Sequence, residues 1–307
     1  MARSWSRRSR PARRGGAALG TTGVYLRDLP LEQGASSLVT RHSQGARSRA
    51  AQLRHFLAPL HVEAGRVLGT TGEVALVVAS GPDWRRLCDY PYGFSFTRTA
   101  PGAQSASVVA AADYPPRFTR RFDDVLLEAA KAGATPPADI GEFLDLMVGH
   151  EWGHAVANLS GLRTHVRWLD ELVATYVLAQ ALRATGQTVR LDRMAAWARV
   201  QVFGGDGADR RQRQVGTGEA RPAAVDLASF EYPRGRTGLA RSLWFQGVFT
   251  QRALEVSEAR GWEFLLALRT ALPAAHRGEV ARALIDTDAS FRPWFAVFGR
   301  PSGVNVS

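Results

Sequence analysis

Apolar and polar residues alternate along this chain with two different rhythms, short runs first and helical spacing later. Glu73-Val-Ala-Leu-Val-Val-Ala-Ser80 is a short apolar run rich in β-branched residues, bounded by Gly72 and Gly81-Pro82, and it predicts a buried strand. Phe94 to Arg98 alternates like a second strand, and Ala106 to Tyr114 predicts a third. Upstream, Ala46, Leu53, Phe56 and Leu57, with basic residues between them, predict an amphipathic helix from Ser43 to Leu60, ending near Pro59. Arg120 to Ala132 reads as a further helix. From residue 139 onward the spacing is helical almost throughout: Ile140 to Ala157, Leu169 to Thr185 closed by Gly186, Leu191 to Phe203, Thr237 to Gly261, Trp262 to Leu272 and Gly278 to Asp286. Gly204 to Pro233, rich in Gly, Arg and Pro, predicts a loop or a lid. The expected fold class is therefore α+β: a small mixed sheet, a central helix, then a mainly helical C-terminal lobe. Its divisions are a basic, disordered arm over 1–38, an α/β lobe over 39–160 and a helical lobe over 161–307.

The helix over 140–157 carries the chemistry. Asp139 followed by Glu142 reads as a capping box, and Asn158-Leu-Ser-Gly161 supplies the stop. Within it stands His150-Glu151-Trp152-Gly153-His154. Histidines four apart on a helix lie about 40° apart around its axis, so both imidazoles reach one metal ion while the Glu between them borders the same cavity. Continuing the histidine face picks out Phe143, Leu146, Met147 and Ala157, all apolar, so the histidines point inward. A hydrogen-bonded core pair is the plainer reading of two such histidines. A catalytic zinc takes three protein ligands and leaves one position for water, so a third ligand decides between them. His165, Asp170 and Glu171 are near in sequence; Glu171 is favoured, because it falls in the first turn of the next helix and Ala174, one turn on, is small enough to allow close approach.

His150-Glu-Trp-Gly-His154 followed after sixteen residues by Glu171, within Trp168-Leu-Asp-Glu-Leu-Val-Ala-Thr-Tyr176, resembles the gluzincin group of zinc metallopeptidases. The resemblance implies a zincin-like fold with one Zn2+ held by His150, His154 and Glu171, Glu151 as general base, and hydrolysis of peptide bonds in a peptide or protein substrate. The specific match is confined to residues 150–176. A third histidine six residues past His154, as metzincins have, is missing, since Ser160 stands there. The aminopeptidase substrate-amine motif is missing too. For the donor to the transition state, Tyr232 is the first candidate, with Arg241 and His276 behind it; an ordinary loop aromatic is the other reading of Tyr232. Asp170 and Asp145 are candidate acceptors for the far N–H of a ligating histidine, although Asp145 points about 140° away from His150 and Asp170 equally suits a helix cap. Trp152 reads as packing. Ala106 to Tyr114 is the candidate edge for an added substrate strand, with a plain core strand as its alternative.

Composition narrows the field. With 45% hydrophobic residues over 307, the chain can bury a substantial core. No apolar run approaches the roughly 18–20 residues of a membrane-spanning helix. Cys88 is the only cysteine, which excludes an internal disulfide and a cysteine zinc site and agrees with a cytoplasmic location. The net charge of +11 comes from 39 basic against 28 acidic residues. Much of the excess is local, in the first 20 residues and in Arg210 to Arg221, and neither stretch interleaves aromatic residues as a nucleic-acid platform would. Nucleic-acid or membrane-surface binding is the weaker reading, and a catalytically inactive zinc protein of the same fold the stronger rival.

Overall fold

The computed structural model describes residues 32–34, 38–70, 72–99, 104–136, 139–164, 166–215, 227–231, 238–272 and 279–298. They form a mixed α/β fold dominated by helices around one small sheet. In chain order come β1 (Glu32–Gly34), β2 (Val39–His42), α1 (Arg47–Leu68), β3 (Glu73–Ala79), α2 (Gly81–Leu87), β4 (Phe96–Thr99) and β5 (Ser105–Ala111). Then follow α3 (Pro116–Thr119), a 3-10 turn, α4 (Asp123–Lys131), α5 (Ile140–Leu159), α6 (Arg167–Ala184), α7 (Thr188–Val215), α8 (Leu227–Glu231), α9 (Leu239–Arg260), α10 (Glu263–Ala271), α11 (Val280–Thr287) and α12 (Phe291–Phe298).

The sheet order is β1-β2-β3-β5-β4; β2, β3 and β5 run parallel, while β1 and β4 pair antiparallel at the two ends. Four strands make its body and β1 adds three residues, so the sheet takes in Glu32–Gly34 from the stretch expected as an arm, and Leu38 of that stretch is buried in the core. β3 reads as a continuous apolar run because both of its faces are covered. Val74, Leu76 and Val78 join the main core, whereas Val77 and Ala79 pack under Trp84 and Leu87 of α2.

β5, a candidate edge or else a plain core strand, is the core strand: it lies between β3 and β4, and the edge beside the histidine helix is β4, in register Phe96↔Val109 to Thr99↔Ala106. Two other expectations are corrected. The lead helix does not stop at Pro59 but runs through it to Leu68. An interior proline costs about 3 kcal/mol. Leu60, Ala64 and Leu68, all buried beyond it, offset that cost, since each buried leucine is worth about 1.5–3 kcal/mol. Nor is Gly204 to Pro233 a loop throughout, because α7 continues to Val215 and α8 follows at Leu227. The helix can extend past Gly204 because that glycine lets α7 touch α4: a Cβ there would fall 2.0 Å from the Val125 carbonyl oxygen.

α5 is the central helix, lying on β4 and β5 and packed along α6, with α1 and α7 also in contact. Its start is fixed by Asp139, whose carboxylate accepts from the Gly141 N–H at 2.7 Å. It ends at Gly161, in the left-handed region at φ 72°, with the Leu162 N–H bonded to the Ala157 carbonyl at 2.9 Å. Asp139→Ala removes the cap and is expected to cost about 1 kcal/mol. The check is urea unfolding, with a lower midpoint at unchanged slope. Among the described residues no helix is long and apolar enough to cross a membrane.

Candidate metal centre

His150 and His154 project from the same face of α5, their rings 4.6 Å apart and nearly perpendicular. Glu171 arrives from α6, just past its first turn, because the helix begins at Arg167 and not at Leu169 as expected. One carboxylate oxygen, Oε2, lies 3.0 Å from His150 Nε2 and 3.5 Å from His154 Nε2. The three ligand atoms all fall within 4.8 Å of one another, which makes them a group that could hold a metal ion. Tetrahedral zinc with bonds of about 2.0–2.2 Å separates its ligand atoms by roughly 3.3–3.5 Å, and the two contacts to Glu171 straddle that figure. The donor set, two imidazoles and a carboxylate sharing one focus, is of a kind that fits zinc.

What brings α6 so close is Gly153. A Cβ on it would fall 2.1 Å from the Ala174 carbonyl oxygen and 2.9 Å from its carbon, so the two helix backbones meet without an intervening side chain. Ala174 was the expected small residue at this crossing; the glycine inside the histidine motif is the one that permits it. Exposure then separates the three residues: the His150 side chain is 4% exposed, against 19% for His154 and 24% for Glu171. Access to the trio is therefore over His154 and Glu171.

The trio also attracts positive charge. Burial would raise the Glu171 carboxyl, but hydrogen bonds from His150 and His154, together with their charge, hold it well below the usual carboxylate range. Burial works against an imidazolium at His154, yet the hydrogen bond and charge of Glu171, aided by Glu151 and Asp170, push its pKa up to about 9. Two lone pairs facing one carboxylate oxygen need a cation between them, a proton or a metal ion.

Glu151 borders the same site. Its carboxyl is pushed up by burial, a shift that His154 and His150 oppose and Glu171 reinforces. Thr97 on β4 lies with its hydroxyl 2.8 Å from Glu151 Oε2 and 2.5 Å from the Glu151 carbonyl oxygen, tying the edge strand to the acid. Two turns on, Asn158 donates to Thr99 at 3.2 Å, so β4 is pinned to α5 at two places.

Neither aspartate serves as the expected histidine partner. Asp170 Oδ1 accepts from the Thr164 N–H at 2.7 Å and its hydroxyl at 2.8 Å, fastening the segment before α6. Asp145 forms an ion pair with Arg49 and accepts from Tyr114 at 3.1 Å, on another side of α5. The group at His150 Nδ1 is instead Thr175, 3.0 Å away, with the Gln246 amide of α9 at 3.1 Å from the same hydroxyl. Thr175 sits one turn beyond Glu171 in a sequence of otherwise apolar residues, a polar outlier that marks it. Nothing near Gln246 signals its role. Trp152 is fully buried, as its packing role requires. Arg241 lies on α9 with its guanidinium 5.5 Å over the Phe245 ring. Tyr232, His276 and His165 fall outside the described residues. Compared with known proteins, the chain matches no family model, no curated protein and no solved structure.

Proposed function

We propose that this chain is a zinc-dependent metallopeptidase of the gluzincin kind, with His150, His154 and Glu171 as zinc ligands and Glu151 as general base. The observation that carries the reading is the shared focus of both histidine Nε2 atoms on one Glu171 oxygen, with Glu151 at its side. Zinc in such a site supplies a Lewis acid for the substrate carbonyl and brings the pKa of a bound water to about 7.

The chain's own residues do the rest. Glu151 takes a proton from the attacking water on its carboxylate and passes it to the departing amine nitrogen. Its raised proton affinity suits a group that must both accept and release a proton near neutrality. Thr97 holds that carboxylate in place. β4 favours a peptide over other amides, because an antiparallel edge beside the site can pair with an extended chain along its backbone. Tyr232 remains the proposed transition-state donor.

The test compares wild type with Glu151→Gln on a quenched-fluorescence peptide library, with zinc content measured on the same samples. Loss of turnover by about 10²–10⁴-fold with zinc retained supports the assignment. Equal turnover in the two proteins overturns the role of Glu151. Zinc in both with hydrolysis in neither turns the reading to the inactive zinc protein.

A further inference from the structure

Beside His150 lies a small cavity of about 20 Å³ between α5, α6, α7 and α9. Apolar residues such as Phe143, Met147, Leu178 and Met194 make much of its wall, yet four polar side chains also face it: Thr175, Gln201, Gln246 and Thr250. All but Gln246 are at least nine-tenths buried, and the Gln201 amide nitrogen has no hydrogen-bond partner among the described residues. A buried polar group without a full set of partners costs about 1–3 kcal/mol, and an apolar residue of similar shape would avoid it. A layer of this kind is therefore poorly explained by packing alone.

Its hydrogen bonds have a definite direction. The Thr175 hydroxyl lies 2.8 Å from the Glu171 carbonyl oxygen one turn back, and a carbonyl can only accept, so the Thr175 proton goes there. Its oxygen is left to accept, and two groups reach it: the Gln246 amide at 3.1 Å and His150 Nδ1 at 3.0 Å. The Gln246 amide is also 3.3 Å from Nδ1. With Thr175 so arranged, its oxygen can accept an Nδ1 proton of His150, the tautomer that frees the Nε2 lone pair for a metal ion beside Glu171. One hydroxyl thus joins the side chain of one proposed ligand to the backbone of another. Gln246 is held in turn by α9, where Thr250 donates to its carbonyl at 2.7 Å and Gly247 allows close contact with α7, a Cβ there falling 2.8 Å from the Ala198 carbonyl oxygen.

We propose that Thr175 and Gln246 are positioning residues of the metal centre, fixing the tautomer and orientation of His150 and so making its zinc affinity depend on α9. The inference rests on His150 being a zinc ligand. Partners of this kind are commonly worth 10–100-fold in metal affinity.

The experiment is a zinc titration of the full chain in competition with a chromophoric chelator. The proteins are wild type, Thr175→Val, Thr175→Ser, Gln246→Leu and, as a packing control on the same cavity wall, Leu178→Ala. Thr175→Val and Gln246→Leu are expected to weaken zinc binding by about 10–100-fold, whereas Thr175→Ser, which keeps the hydroxyl, stays near wild type. Leu178→Ala is expected to lower the melting temperature with zinc affinity unchanged. In zinc-loaded wild type the His150 ring nitrogens should show a protonated Nδ1 by 15N NMR. Wild-type affinity in Thr175→Val and Gln246→Leu overturns the inference and leaves the metal centre standing. Affinity that falls with stability in every variant, Leu178→Ala included, overturns it as mere packing. A wild type that takes up no zinc removes the metal centre, and this inference with it.

Discussion

Glu171→Ala is expected to leave the protein without zinc, taking the metal content from about one ion per chain to a small fraction of that. Both imidazoles are aimed at Glu171 Oε2, so its removal deletes the single point on which the site converges and leaves a two-histidine site with no anionic ligand. Asp170→Ala is the internal control, since its carboxylate is committed to Thr164. That variant is expected to lose stability by about 1–3 kcal/mol, from stranding the Thr164 donors, and to keep its zinc. Elemental mass spectrometry on the two variants and wild type separates them; stoichiometric zinc in Glu171→Ala would remove Glu171 from the ligand set.

The metal-free protein offers a second readout of the same residue. His154 is raised from its ordinary 6.5 to about 9 by Glu171, burial notwithstanding. A raised pKa on a base stabilises the fold fully below the unfolded value and progressively less as pH climbs through the folded one. Chelator-treated wild type should therefore lose stability between about pH 6.5 and 9. In Glu171→Ala that loss should shrink, because the partner that holds the proton is gone.

How far such a site can be read in advance depends on whether its residues are local. The cap at Asp139, the stop at Gly161 and the spacing of His150, Glu151 and His154 are all contained in one helix, and i,i+4 geometry fixes their common face without any tertiary information. Glu171 follows from its nearness to the start of the next helix. Beyond that the pattern loses resolution. Every residue of α6 from Leu172 to Leu182 is buried, so no polar stripe marks which way Thr175 points. Gln246 and Thr97 reach the site only because α9 and β4 come to lie against it, pairings 96 and 54 residues apart along the chain. The interior position of β5 had the same cause: a seven-residue apolar strand looks alike at the edge and in the middle until its neighbours are known. Pro59 illustrates a different limit, local propensity overridden by the burial of residues on both sides of it.

Gly153→Ala is expected to damage the metal site more than it damages the fold. On helix propensity alone it is favourable, since alanine in a helix interior gains about 1 kcal/mol over glycine. Here the added methyl would fall 2.1 Å from the Ala174 carbonyl oxygen, 2.9 Å from its carbon and 3.2 Å from its Cα. These are backbone atoms of a buried helix and have no rotamer to escape into, so α5 and α6 must move apart by an ångström or so. Overpacking of this kind costs about 1–3 kcal/mol and sometimes more. The net expectation is a loss of about 2 kcal/mol, near 5 °C in melting temperature. The functional consequence is larger than the stability one. His154 adjoins Gly153, Glu171 lies three residues before Ala174, and metal ligands tolerate displacements of only about 0.2 Å. Zinc affinity should fall steeply while most of the protein stays folded. Gly149→Ala, one turn earlier on α5, is the comparison: its methyl meets Leu178 Cδ1 at 2.9 Å and the Phe56 ring at 3.0 Å, side-chain atoms that can shift. That variant should change stability by no more than about 1 kcal/mol and keep its zinc, because the propensity gain offsets much of the crowding. Equal zinc affinity in the two alanine variants would show that the α5–α6 contact at Gly153 does not set the ligand geometry. A loss confined to Gly153→Ala would show that one missing methyl group holds the third ligand within reach of the histidines.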